Sequence, residues 1–114
     1  MPNKNRKTQR ADLTTADRTQ RGILRAHLLQ ILRSGTSIGA NVSEAQNAQS
    51  RADFLAKMTI ASKEANETSY WLHLLHDNGY LTDPQFASLN TDMKRLLHKL
   101  IAIVKTTKES MQNQ

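Results

Sequence analysis

From residue 24 to residue 45 the small or apolar side chains fall at Leu24, Leu28, Ile31, Gly35, Ile38, Val42 and Ala45, alternating steps of four and three without a slip. That spacing lines one face of an α-helix and scatters over both faces of a strand. The pattern runs through Gly35 and Gly39 in phase, so SGTSIGAN reads as helix interior, although each glycine costs about 1 kcal/mol there. With Ala40 nearby, the two glycines are expected to form a flat strip on which another helix packs closely.

Two further stripes keep the same rhythm. Phe54, Met58, Ala61, Ala65, Thr68, Leu72 and Leu75 make the second, opened by Ser50 with Asp53 three residues on and closed by Asn78-Gly79. Ser50 is placed to accept from an orphan backbone N–H, and Gly79 supplies the left-handed residue that ends a helix. Phe86, Leu89, Met93, Leu96, Leu100 and Ile103 make the third, with Asp83 as the expected cap and Pro84 at the first helical position. Only two prolines and four glycines interrupt the 114 residues. A second apolar edge at Leu97, Ile101 and Val104 widens the last stripe beyond what a monomer uses, and marks an expected oligomer interface.

A single domain of this length excludes the large catalytic folds, and the absence of cysteine excludes disulfides, thiolate metal sites and thiol nucleophiles. No apolar run approaches the roughly 20 residues of a membrane span, and no apolar segment of a secretory signal follows the basic start. A cytoplasmic protein with no membrane partner and no cofactor is expected. Residues 1–10 read as a basic flexible arm and 109–114 as a tail; helices are expected at about 23–48, 51–78 and 84–108. Between the arm and the first long helix only Ala11, Leu13 and Ala16 are apolar. The architecture is therefore all-α, an antiparallel up-and-down helical bundle of three long helices plus a short or degenerate N-terminal helix.

Sixteen Lys and Arg against ten Asp and Glu give a formal charge of +6, unevenly spread. Residues 1–33 carry +6, residues 34–83 carry −3, and residues 84–114 carry +3. If the bundle joins its two basic ends, Arg6, Arg10, Arg21, Arg25, Lys94, Arg95, Lys99, Lys105 and Lys108 form a surface that attracts RNA or DNA through counterion release. The alternative is a solvated face on a protein-interaction or assembly module with no nucleic-acid ligand. The five aromatics include no base-stacking motif.

Two motifs carry no chemistry. Gly35-Thr36-Ser37-Ile38-Gly39 spells the serine-hydrolase elbow, but no strand precedes it and the helical stripe runs through it. His73, His76 and Asp77 share a helical turn yet lack the ligand set of a bundle metal centre, so no metal is expected.

The polar residues of interest are Arg33, Ser34, Ser37, Asn41 and Glu44 beside the first stripe, and Lys63, Glu64 and Glu67 on the next helix. They are expected to form an interhelix network that fixes register, since half-buried polar groups must be paired. A weaker reading makes Glu44, Glu64 and Glu67 the ligands of a cation-dependent nuclease.

The stretch from Gln30 to Ala45, followed by Ser50-Arg51-Ala52-Asp53-Phe54 and the run from Lys63 to Leu72, resembles the four-helix-bundle proteins first noticed as products of intervening sequences in bacterial 23S rRNA genes. The resemblance covers roughly residues 24–106, and the two segments together are more specific than either alone. It implies a small bacterial bundle that assembles as a homopentamer, with no established enzymatic activity. The chain is also similar to the accessory protein of diversity-generating retroelements, a basic pentameric bundle that binds nucleic acid and a reverse transcriptase. Carried over residue by residue, the family's recurring polar positions are the eight just named. The chain departs from the family at its front, where a complete apolar first helix is usual. Together these readings give a non-enzymatic, self-associating bundle with a basic surface for RNA or DNA.

Overall fold

The computed structural model describes the backbone of residues 2–113 and the side chains of residues 18–113. Three helices account for nearly all of it: α1, Pro2–Gln46; α2, Arg51–Asp77; and α3, Asp83–Gln112. The described residues hold no strand. The basic arm and the short first helix expected at the front fall on side chains outside the described residues.

Neighbouring helices run antiparallel. Ser34 meets Thr68 and Glu44 meets Lys57 across α1 and α2, while Phe86 meets His76 and Ser110 meets Arg51 across α2 and α3. α2 lies in the middle. The Cα atoms of α1 and α3 stay more than 8 Å apart throughout the described residues. The core therefore gathers on α2, where Met58, Ala61, Ala65, Thr68, Leu72 and Leu75 are all buried. Ile38 and Ala45 of α1 and Leu100 of α3 close on that stripe.

The ends of the helices follow from local chemistry. Ser50 Oγ accepts from the Asp53 backbone N–H at 3.0 Å, as its spacing implied. At the far end of α2, Gly79 has φ +79°, which lets its N–H reach the His76 carbonyl at 3.0 Å and the Tyr80 N–H reach the Leu75 carbonyl at 2.9 Å. This pair of bonds returns orphan carbonyls to the hydrogen-bond ladder.

α3 begins one residue earlier than expected. Its cap is Thr82, not Asp83. The Thr82 hydroxyl accepts from the Gln85 N–H at 3.2 Å, and Gln85 Oε1 accepts from the Thr82 N–H at 3.0 Å. Two orphan donors are satisfied reciprocally, and Asp83 is freed to meet His76 at 2.7 Å. The expected tail is also corrected: α3 continues to Gln112. Arg51, in the first turn of α2, donates to Ser110 Oγ at 2.7 Å and holds the last turns in place.

The stripe on α1 needs a larger correction. Ile38 and Ala45 are buried and Val42 packs on the core, but Leu28 and Gly35 are exposed, and the most deeply buried position is Ser34. The seam runs one residue to the side of the stripe's centre, through His27, Ser34, Ile38 and Ala45. Gly35 and Gly39 do lie within continuous helix. Among the described residues no neighbouring helix reaches them, since a Cβ on either would meet nothing within 4 Å.

Candidate functional site

The expected polar network divides into two parts that lie about three helical turns apart along α1. At the first, Arg33 forms a hydrogen-bonded ion pair with Glu67, and its other terminal nitrogen lies 3.7 Å from Glu64 Oε2. Trp71 Nε1 donates to the same Glu67 oxygen at 3.4 Å. The Arg33 guanidinium, and then the indole N–H, hold the Glu67 carboxyl below the ordinary glutamate value. Beneath this pair, Thr68 Oγ1 donates to Ser34 Oγ at 2.7 Å and lies 2.8 Å from the Glu64 backbone carbonyl. Ser34 Oγ reaches the Ile31 carbonyl at 3.3 Å. His27 tilts against Trp71, with ring centroids 5.6 Å apart.

Two buried atoms of this seam, His27 Nδ1 and Glu64 Oε2, make no hydrogen bond among the described residues. Glu64 Oε2 keeps its charge partner at ion-pair range, beyond hydrogen-bond reach.

At the second part, Glu44 and Lys57 pair at 2.9 Å. The Glu44 carboxylate, by hydrogen bond and by charge, raises the Lys57 amine above its ordinary value. Asn41 does not join either part. Its amide folds back onto Ser37, donating to the carbonyl at 2.8 Å and the hydroxyl at 3.2 Å. Lys63 faces solvent. Thr68, Trp71, His27 and Lys57 complete the seam in their place. Trp71 lies seven residues after Glu64 and four after Glu67, a spacing that put it on their face from the start.

The three carboxylates of the nuclease reading thus face cations of the chain itself. Arg33 holds Glu64 and Glu67, and Lys57 holds Glu44. Among the described residues no three His, Asp or Glu side chains converge as metal ligands. His76 instead stacks on Phe86, with ring centroids 4.2 Å apart and planes within 8°.

The two basic ends are not joined. Arg21 and Arg25 are exposed on α1, and Lys94, Arg95, Lys99, Lys105 and Lys108 are exposed on α3, with α2 between the two helices. Arg6 and Arg10 lie outside the described side chains. The expected oligomer edge is also divided. Leu97 and Val104 pack against the core, while Ile101 stands 48% exposed. Ile101 and Val104 line an open groove between α2 and α3 with Ser62, Lys105 and Lys108.

These features define a small all-α protein built as an antiparallel helical hairpin series with a polar first seam. A family model described as 23S rRNA-intervening sequence protein matches residues 24–102, well over half of the chain. The chain belongs to that family. It is also similar to a crystal structure of a protein with unknown function from the S23 ribosomal protein family of Bacteroides thetaiotaomicron VPI-5482. The two are 59% identical with a TM-score of 0.65, over 67% of this chain and 70% of that one. No curated protein matches the chain. No helix of the described residues is long and apolar enough to cross a membrane.

Proposed function

We propose that this protein is a non-enzymatic, self-associating bundle of the bacterial cytoplasm whose α3 surface binds structured RNA or DNA. The observation that carries the reading is the set of exposed cations Lys94, Arg95, Lys99, Lys105 and Lys108 on an outer helix that, among the described residues, packs on α2 alone. From Lys94 to Lys108 the helix rises about 21 Å, enough to meet several successive phosphates of a nucleic-acid backbone. The resemblance to the accessory protein of diversity-generating retroelements supports the same ligand class. The neutralisation of Glu44, Glu64 and Glu67 by Lys57 and Arg33 supports a role without catalysis.

Binding of labelled structured RNA and of duplex DNA, followed from about 50 to 200 mM salt, tests the reading. Affinity is expected to fall steeply with salt and to fall again in the K94E/K99E/K105E variant. Affinity indifferent to both overturns it.

A second reading, a protein-assembly module with no nucleic-acid ligand, is favoured by one observation. Ile101 is exposed beside Val104 in the groove between α2 and α3, and apolar surface of that kind suits a protein partner. Self-association through this edge is tested by Ile101→Asp, which is expected to lower the sedimenting mass with helix content unchanged. Leu97→Asp is the poorer test, because Leu97 also packs against the core.

A further inference from the structure

One face of α2 is turned to neither neighbour. Thr59, Lys63, Asn66 and Tyr70 alternate steps of four and three, so they share it, while Glu64, Glu67 and Trp71 turn to α1. Lys63 and Asn66 are exposed. Tyr70 is 58% exposed, and of the five aromatics it alone stands open to solvent. Its ring meets Trp71 edge to face, with centroids 5.2 Å apart and planes at 73°. Trp71 is itself held by Glu67 and His27, so the exposed ring rests on a fixed support.

The neighbouring flank of α3 is cationic. Lys94, His98, Ile101, Lys105 and Lys108 alternate steps of four and three, on the side where Ile101, Lys105 and Lys108 face Ser62 of α2 across the open groove. Arg51 with Ser110 and Phe86 with His76 fix how the two helices pass, which puts Lys94 level with the stretch between Lys63 and Tyr70. Neither Lys63 nor Lys94 has an ion-pair partner among the described residues. Glu67, three residues before Tyr70, is held by Arg33. Asp77 and Glu109 lie at the two ends of this side and leave its middle cationic.

We propose that this side of α2 and α3 takes unpaired nucleotides of RNA or DNA, one base stacking on Tyr70 while Lys63 and Lys94 hold the flanking phosphates. This rests on the nucleic-acid reading of the α3 cations and adds the class of substrate. In a duplex the base faces are covered by their neighbours, whereas an unpaired base offers its face to an aromatic ring. An apolar protein partner laid on Tyr70 would bury Lys63 and Lys94 with no anion to receive them, a costly desolvation. Phosphates supply that anion, and the Asn66 amide both donates and accepts, as a base edge requires. The sequence holds no stacking motif because the platform is made by the exposure of a single ring.

The test is binding of labelled oligouridylate and of a blunt RNA duplex of equal length to the full chain, at low salt. Tyr70→Ala is expected to weaken single-strand binding about tenfold and to leave duplex binding nearly unaltered. Tyr70→Phe is expected to keep the affinity, since it keeps the ring. Tyr70→Leu, which still covers Trp71 but has no aromatic face, is expected to lose as much as Tyr70→Ala. K63E is expected to weaken single-strand binding, and helix content to stay unchanged throughout because both side chains are exposed.

Salt-dependent binding that is indifferent to Tyr70→Ala and Tyr70→Leu overturns the proposal and leaves the α3 reading standing. So do equal losses for strand and duplex, which make Tyr70 a support of the fold. A fall in sedimenting mass at unchanged affinity assigns Tyr70 to a protein contact and also overturns it. Failure of the unaltered chain to bind either nucleic acid overturns both readings together.

Discussion

The two seams of this molecule are built from different chemistry. Between α1 and α2 the central contacts are mixed: Ile38, Val42 and Ala45 pack on the core, and Thr68 on Ser34, Arg33 on Glu67 and Glu64, and Glu44 on Lys57 are polar. Between α2 and α3 they are apolar, with Leu100 on the core cluster flanked by Met93, Leu96, Leu97 and Val104, and with polar contacts at the two ends, Arg51 with Ser110 and His76 with Asp83. An apolar seam gains free energy from area and is tolerant of small slides. A polar seam gains less and is satisfied in one register. One middle helix thus has apolar core on both sides, with the polar contacts that fix register concentrated on the α1 side.

The largest effect is expected where the apolar seam is deepest. Leu100 is 3% exposed and joins α3 to a stripe whose centre, Ala61 and Ala65, is fully buried. Leu100→Ala is expected to cost about 2–5 kcal/mol, because the small residues opposite leave little to collapse into the gap. Urea unfolding measures this. A loss under about 1 kcal/mol would mean that α3 contributes little to holding the molecule together.

The polar seam predicts a smaller and differently shaped effect. Ser34 and Thr68 are the two buried polar residues among those described, and each hydroxyl serves the other. Ser34→Ala or Thr68→Val alone is expected to cost about 1 kcal/mol, since the remaining hydroxyl loses its cross-helix bond and keeps the carbonyl of its own helix. The double change is expected to cost less than the sum, the sign of coupling in a double-mutant cycle. Additive losses would show two independent hydroxyls, and the seam would lose its role in register.

Ionisation separates the seams as well. Glu67 is held below its ordinary value by Arg33 first and Trp71 next. A carboxylate depressed in the folded state adds stability that is present above its unfolded value and is lost as pH falls through the folded one. Glu67→Gln is therefore expected to flatten the acid side of the stability–pH curve and to leave the neutral side parallel. A pH titration of thermal unfolding reads it, and an unchanged acid limb would detach Glu67 from the fold. The effect is modest because Arg33 stands 51% exposed and the pair is screened by solvent.

The same contrast explains what could be read from the sequence. The α2 stripe was legible because the middle helix is covered from two sides, so every position in phase from Met58 to Leu75 is buried and Phe54 packs half-buried against the core. The α1 stripe was legible in period but not in direction. Hydropathy points to its apolar centre near Leu28 and Gly35, whereas the seam is set by Ser34, whose hydroxyl no hydropathy pattern marks. The network residues Arg33, Ser34, Glu44, Glu64 and Glu67 were identified by type and spacing. Ser37, Asn41 and Lys63 were not separable from them, because whether a polar side chain bonds its own helix or its neighbour depends on rotation about the helix axis by less than one residue. The separation of the two basic ends lay beyond reach for a similar reason: charge along a chain does not say which helix is in the middle.

The smallest effect concerns the glycines on the free side of α1. In a packed seam, Gly35→Ala and Gly39→Ala would force helices apart; on an open face they exchange a costly helix residue for the best helix former. Each Cβ would meet nothing within 4 Å. The double variant is therefore expected to raise stability by about 1–2 kcal/mol in all, with the sign opposite to every change in the two seams. Unfolding measured together with sedimenting mass gives the comparison its sharpest form. A stability gain at constant mass leaves α1 with one seam only. A loss of mass or of stability would reveal a third seam, in which another chain approaches the glycines as closely as α1 approaches α2.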